Sequence, residues 1–147
     1  MAILLIDTDV FSYLTASNPS RAMPYRKHIA GHTLAVSFVT AGEQYAGYRK
    51  QISRGRWPIG SLQKLEAHLS AVTIIPYDNE ICRTYGDLKA TIQLSGKNAA
   101  PHDLWIAACA VRHSLKLVTN NRSHFAVIPG LEVISEAPPK KSPDDLA

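Results

Sequence analysis

Met1-Ala-Ile-Leu-Leu-Ile-Asp7-Thr-Asp9-Val-Phe11 opens the chain and decides its fold. An apolar, β-prone run ends abruptly in a carboxylate, and helix-compatible residues follow. A buried parallel strand delivers an acid to the edge of a sheet in this way. Open α/β sheets take their ligands at the carboxyl ends of their strands, so Asp7 is the first residue to suspect of chemistry. An acid at a strand-to-helix junction also makes a good helix cap. The segment by itself is equally consistent with either role.

Strands and helices alternate through the rest of the chain. The strands are expected at Ile3–Ile6, Thr33–Ser37, Val72–Ile75, Lys116–Thr119 and Glu132–Ile134. One intervening helix is capped by Asp78, carries the stripe Ile81, Tyr85, Leu88 and Ile92, and ends at Gly96. Such alternation implies an α/β fold, a mostly parallel sheet with helices on both faces. At 147 residues, 46% of them hydrophobic, the chain is long enough for one domain with a real core. That domain is expected over residues 1–135. The stretch Pro138-Pro-Lys-Lys-Ser-Pro-Asp-Asp145 has too little apolar surface to fold, so residues 136–147 read as a flexible tail.

Composition narrows the function classes. No apolar run approaches the ~20 residues that a membrane helix needs. The start lacks the basic segment and cleavage site of a signal peptide. Cys82 and Cys109 lie far apart in apolar surroundings and read as buried thiols of a reducing compartment. The expected location is the cytoplasm, without a membrane partner. The formal charge of +4 favours an anionic partner. The six histidines show no His-Glu-x-x-His spacing, which argues against zinc.

Further acids sit at element edges. Glu43 follows the second strand on the first turns of a helix, although Thr40-Ala-Gly-Glu43 also fits a capping box. Asp103 opens Leu104-Trp-Ile-Ala-Ala-Cys-Ala-Val111, a helix apolar almost all round and therefore buried. An acid there also suits the helix dipole. Leu117-Val-Thr119-Asn-Asn121 repeats the strand-then-polar pattern of Asp7. Asp7, Glu43, Asp103 and Asn121 thus fall at comparable positions around one sheet edge. Converging carboxylates repel one another, and a hard divalent cation with oxygen ligands, Mg²⁺ or Mn²⁺, relieves that repulsion. Asp9 reads either as a cap of the first helix or as an outer ligand.

Leu4-Leu-Ile-Asp7-Thr-Asp9-Val10, Ser37-Phe-Val-Thr-Ala-Gly-Glu43, Asp103-Leu-Trp-Ile-Ala-Ala108, Leu117-Val-Thr-Asn-Asn121 and Phe125-Ala-Val-Ile-Pro-Gly-Leu131 resemble the ordered blocks of PIN-domain ribonucleases. Within these, the resemblance is to the VapC toxins of VapBC toxin–antitoxin pairs. It runs from the start of the chain to Ile134 and rests on order and spacing. It implies a metal-dependent endoribonuclease that cleaves RNA such as tRNA or rRNA. It also implies inhibition by an antitoxin, in a homodimer or a toxin–antitoxin hetero-oligomer. Asp7, Glu43 and Asp103 match the family's acidic triad. Asp7 and Asp103 would hold Mg²⁺ or Mn²⁺, and Glu43 would hold it through a water or orient the attacking water. Many relatives carry a fourth acid where this chain has the accessory Asn121, and another where it has His124.

RNA contact is expected from Tyr48-Arg49-Lys50-Gln-Ile-Ser-Arg54-Gly-Arg56-Trp57, the densest basic stretch and one interleaved with aromatics. Arg122 is a further phosphate-binding candidate, and His102 reads as a loop histidine. Two rivals remain. A PIN-like module could bind RNA or protein without cleaving it. Asp7-Thr-Asp9-Val also resembles haloacid-dehalogenase-type phosphatases. Those need a later lysine and an acidic pair after a core strand, whereas the adjacent pair here is Asp144-Asp145, in the tail.

Overall fold

A computed structural model describes residues 2–16 and 19–137. Five strands form one sheet in which every pairing is parallel: β1 (Ile3–Ile6), β2 (Thr33–Ser37), β3 (Thr73–Ile75), β4 (Lys116–Val118) and β5 (Val133–Ile134). Their order is β3-β2-β1-β4-β5. The chain therefore winds outward from β1 in one direction, then returns and winds out the other way. The switch falls between β1 and β4, where the loops leave in opposite directions and open a crevice.

Strand periodicity of two sorts the core into two layers. Leu4 and Ile6 face one layer, with Val10, Phe11, Tyr25, Val36, Leu65 and Val118. Leu5 faces the other, with Ala35, Ile81, Leu88, Ile92, Leu104, Ala107 and Leu117. The helices that cover these faces are α1 (Thr8–Thr15), α2 (Pro19–Ile29), α3 (Phe38–Ser53), α4 (Ser61–Ser70), α5 (Asn79–Leu94), α6 (Pro101–Arg112) and the short α7 (Arg122–Phe125). Leu5 and Leu65 are completely buried, so truncating either to alanine should cost about 2–5 kcal/mol.

Local signals set the helix ends. Asp78 caps α5 by accepting the Ile81 N–H at 2.8 Å. Gly96, at φ +76°, closes it: the Gly96 N–H donates to Gln93 and the Lys97 N–H to Ile92. Gly55, at φ +70°, ends α3 in the same way, with Gly55 N–H to Ile52 and Arg56 N–H to Gln51. Both are left-handed caps, which glycine tolerates best.

The strand boundaries differ slightly from expectation. Val72 is still held by the turn after α4, through its N–H to Leu69 O, so β3 begins at Thr73. Thr119 donates its N–H to Ile134 O although β4 proper stops at Val118. Of the tail expected over residues 136–147, residues 138–147 lie outside the described residues. Glu136 is held in place by ion pairs to Lys27, at 3.2 Å, and to His28. Cys82 and Cys109 are both free; Cys109 is buried and Cys82 half-buried. No helix among the described residues is long and apolar enough to cross a membrane.

Candidate active site

Asp7 is the last residue before α1 and performs both roles that its position allows. Its Oδ1 caps the helix by accepting the Val10 N–H at 2.9 Å. Its Oδ2 accepts a hydrogen bond from Thr119 Oγ1, at the end of the neighbouring β4. The residue is 3% exposed. Burial pushes its carboxyl up to about 6, against the hydrogen bonds of Thr119 and Val10, and the charges of Asp9 and Asp103 push the same way. Thr119, itself fully buried, also accepts the Asn121 N–H at 2.9 Å. One hydroxyl thus ties together the ends of the two strands that flank the switch point.

The other acids arrive from separate elements. Ser37, not Thr40, caps α3: its Oγ accepts the Thr40 N–H at 3.2 Å. The capping-box reading of Glu43 therefore fails. Glu43 lies on the second turn, with its carboxylate 3.3 Å from His102 Nδ1. Asp103 sits in the first turn of α6, 3.4 Å from His124 Nδ1. Burial raises the Asp103 carboxyl, while His124 and His102 oppose the rise. Asp9, in the first turn of α1, accepts the Asn121 side-chain amide at 2.8 Å. It is not the cap of α1, because Asp7 is. All of these residues line one open pocket of about 430 Å³: Asp7, Thr8, Asp9, Glu43, His102, Asp103, Asn121 and His124. Among the described lining residues there is no lysine or arginine.

The donor set suits a hard divalent cation in kind, since it offers carboxylate and carboxamide oxygens with uncompensated charge. Its present arrangement is not a ready cage. No group of three His, Cys, Asp or Glu among the described residues converges closely enough to hold an ion. Each acid instead engages a neighbour: Asp7 with Thr119, Glu43 with His102, Asp103 with His124, Asp9 with Asn121. Loading requires Glu43 and Asp103 to part from their histidines, while Thr119 goes on holding Asp7. The exposed rings of His102 and His124 are free to turn away, with side-chain exposures of 69% and 60%.

The expected RNA-binding residues are not in this pocket. Arg49, Lys50, Arg54 and Arg56 are exposed at and beyond the far end of α3; at ~1.5 Å per residue Arg49 lies ~9 Å and Arg54 ~16 Å along the helix from Glu43. No ion pair among the described residues involves them. Arg122 lies outside the pocket as well, with its guanidinium donating to Ser135 O at 2.8 Å.

Sequence reasoning gives Asp9 too little weight, although the Asp7-x-Asp9 spacing is an available signal. The brace behind the site leaves none. The buried Tyr25 hydroxyl donates to Asn120 Oδ1 at 2.6 Å and accepts the Glu136 N–H at 3.2 Å, fixing the loop that carries Thr119 and Asn121 from 95 positions away.

The family description "PIN domain" matches residues 4–131. The chain is 30% identical to "Ribonuclease VapC2" of Haemophilus influenzae, over 82% of this chain and 88% of that protein. It is 31% identical to "VapC ribonuclease Y4jK" of Sinorhizobium fredii, over 90% and 96% respectively. Among solved structures it resembles VapBC2 from Rickettsia felis bound to a promoter DNA fragment. The TM-score is 0.75 at 26% identity, covering 92% of this chain and 98% of that one.

Proposed function

The chain belongs to the PIN-domain family, and from that premise we propose that it is the endoribonuclease toxin of a toxin–antitoxin pair, with its acid pocket as the cleavage site. One observation carries the reading. Asp7, Asp9, Glu43 and Asp103 come from β1, α1, α3 and α6 onto a single pocket at the switch point, with no lysine or arginine among the described lining residues. The similarity to VapC ribonucleases over most of both chains supports the activity. The likeness to a VapBC complex supports an antitoxin as the partner.

Hydrolysis of a phosphodiester adds water oxygen to phosphorus and expels an ester oxygen. A Mg²⁺ or Mn²⁺ ion, when bound, supplies Lewis acidity and a water of lowered pKa. Asp7 and Asp103 would hold it directly. Glu43, across the pocket, would hold one of its waters or orient the attacking one. Thr119 keeps Asp7 aimed at the pocket, and the Tyr25–Asn120 bond keeps Thr119 in place. Asn121 offers an amide where a fourth acid would add charge, so it tunes the site through Asp9 and contributes no anion of its own.

The phosphatase reading requires a lysine at Asp7, and among the described lining residues there is none. The reading of a module that binds without cleaving draws on the side-chain pairing that keeps the acids apart. Sequencing the RNA 5′ ends that appear on expression separates the two. New ends that disappear with Asp7→Asn support the nuclease and identify its target RNA; an unchanged end profile supports the binding module.

A further inference from the structure

The acid pocket does not end at Glu43. The same residue lines a second recess of about 250 Å³ with Ser12, Gln44, Tyr48, Gln51 and Trp57. Tyr48 and Trp57 in turn line a third, of about 640 Å³, with Pro58, Lys64 and His68. The three recesses share walls and together outline a groove from the triad, past α1 and α3, to α4. Trp57 stands on its wall. The left-handed cap at Gly55 reverses the chain after α3 and brings Trp57 back over the helix, where its ring meets Tyr48 at 4.9 Å and 73°. That edge-to-face contact fixes the indole without sandwiching it, and 43% of the residue remains exposed.

We infer that this groove is a base-stacking subsite for an unpaired nucleotide of the RNA that the acid pocket cleaves, with the Trp57 indole as its platform. The inference rests on the nuclease reading above. An exposed indole anchored by a second ring is unfavourable to leave in water unless something covers it. Arg54 and Arg56 flank it in the chain, and Lys64 lines the recess, so the cover carries negative charge. A nucleotide meets both demands at once: its base offers a π-face and its phosphate an anion. The shared wall at Glu43 adds the third condition, that the recess adjoins the cleavage site which the bound strand must reach.

The test uses the full chain carrying Asp7→Asn, so that RNA is bound without being cut, and a short single-stranded RNA oligonucleotide as the probe. Affinity is measured across a salt series for this protein and for versions with Trp57→Ala or Trp57→Phe added. Trp57→Ala should weaken binding about fivefold to 150-fold, the range of one lost base stack. Stacking releases no counterions, so its log-affinity line should run parallel to that of the parent. Trp57→Phe should recover most of the loss. A Trp57→Ala line superimposed on the parent's overturns the inference. So does a Trp57→Ala protein that binds RNA normally but no longer holds a protein partner, since the groove would then be that partner's. If the chain without Asp7→Asn cleaves RNA and Trp57→Ala leaves binding unchanged, only the subsite fails. If it neither binds nor cleaves RNA, the nuclease reading fails with it.

Discussion

The side-chain amide of Asn121 donates to Asp9 Oδ2 at 2.8 Å, so a neutral hydrogen-bond donor faces this acid from the end of the neighbouring strand. The amide joins the end of β4 to the first turn of α1 and softens the repulsion between Asp9 and Asp7. It adds no negative charge to the pocket that it lines.

Asn121→Asp should reverse both effects. The metal-free protein loses a hydrogen bond and gains a carboxylate facing Asp9, a cost of about 1 kcal/mol for two like charges ~4 Å apart in water. Divalent cations should bind more tightly. Calorimetric titration with Mn²⁺, together with melts in chelator, measures the two effects. Equal affinity in the variant and the wild type would show that this position does not face the ion.

Asp7→Asn should stabilise the metal-free fold at neutral pH. Asparagine caps a helix as well as aspartate does, and the Thr119 hydroxyl can turn to accept from the new amide, so chiefly the charge is lost. The folded Asp7 carboxyl lies at about 6, above its unfolded value, because burial disfavours the ionised form. Its contribution to stability is therefore fully present below about pH 4. It is lost as the pH rises through 6, amounting to about 3 kcal/mol at neutral pH. In chelator, the melting temperature of Asp7→Asn relative to wild type should climb from near zero at pH 4 to several degrees above pH 7. A difference independent of pH would mean that Asp7 is not strained by its burial.

How much of this is readable from the sequence depends on how local each signal is. β1 and Asp7 are legible because eleven consecutive residues contain the strand, the acid and the helix start. The same holds for Asp78, the stripe of α5 and Gly96. Glu43 is located correctly, but its local motif misleads: the serine that caps α3 is also the last residue of β2, so the Thr40 box has no helix end to cap. The pairing of Asp9 with Asn121 spans 112 positions and exists only once β1 and β4 lie side by side. Tyr25 carries no signal, since its partners are supplied by the far end of the chain. The basic stretch is visible as charge, yet its distance from the triad and its groove depend on how α3 and α4 pack.

Thr119→Val should damage the site while sparing the core, being nearly isosteric. It removes the donor to Asp7 and leaves the half-buried Asn121 N–H without its acceptor, at a cost of about 1 kcal/mol. The Asp7 carboxyl should move further up, and the activity should need a higher pH. Thr119→Ser should restore both. A valine variant with the wild-type pH profile would remove Thr119 from the positioning of Asp7.

Arg54→Glu combined with Arg56→Glu should weaken RNA binding and flatten its salt dependence, by about 0.7 in log–log slope for each phosphate that a single strand no longer presents to a cation. Metal affinity should not change, because both residues lie well away from the triad. A salt series measures the slope and calorimetry the affinity. An unaltered slope would move the phosphate path to another face, and Arg122 would first have to release Ser135 to serve there.

The most direct measurement is the rate of RNA cleavage by purified protein as Mg²⁺ or Mn²⁺ is titrated, for wild type, Asp7→Asn and Asp103→Asn, each verified as folded by its melt. The expected result is metal-dependent cleavage by wild type and a loss exceeding about 100-fold in both variants, beyond the ~10–100-fold effect of outer-shell partners. Wild-type turnover in either variant, or cleavage that persists unchanged in chelator, would contradict the assignment of the acid pocket as a metal-dependent ribonuclease site.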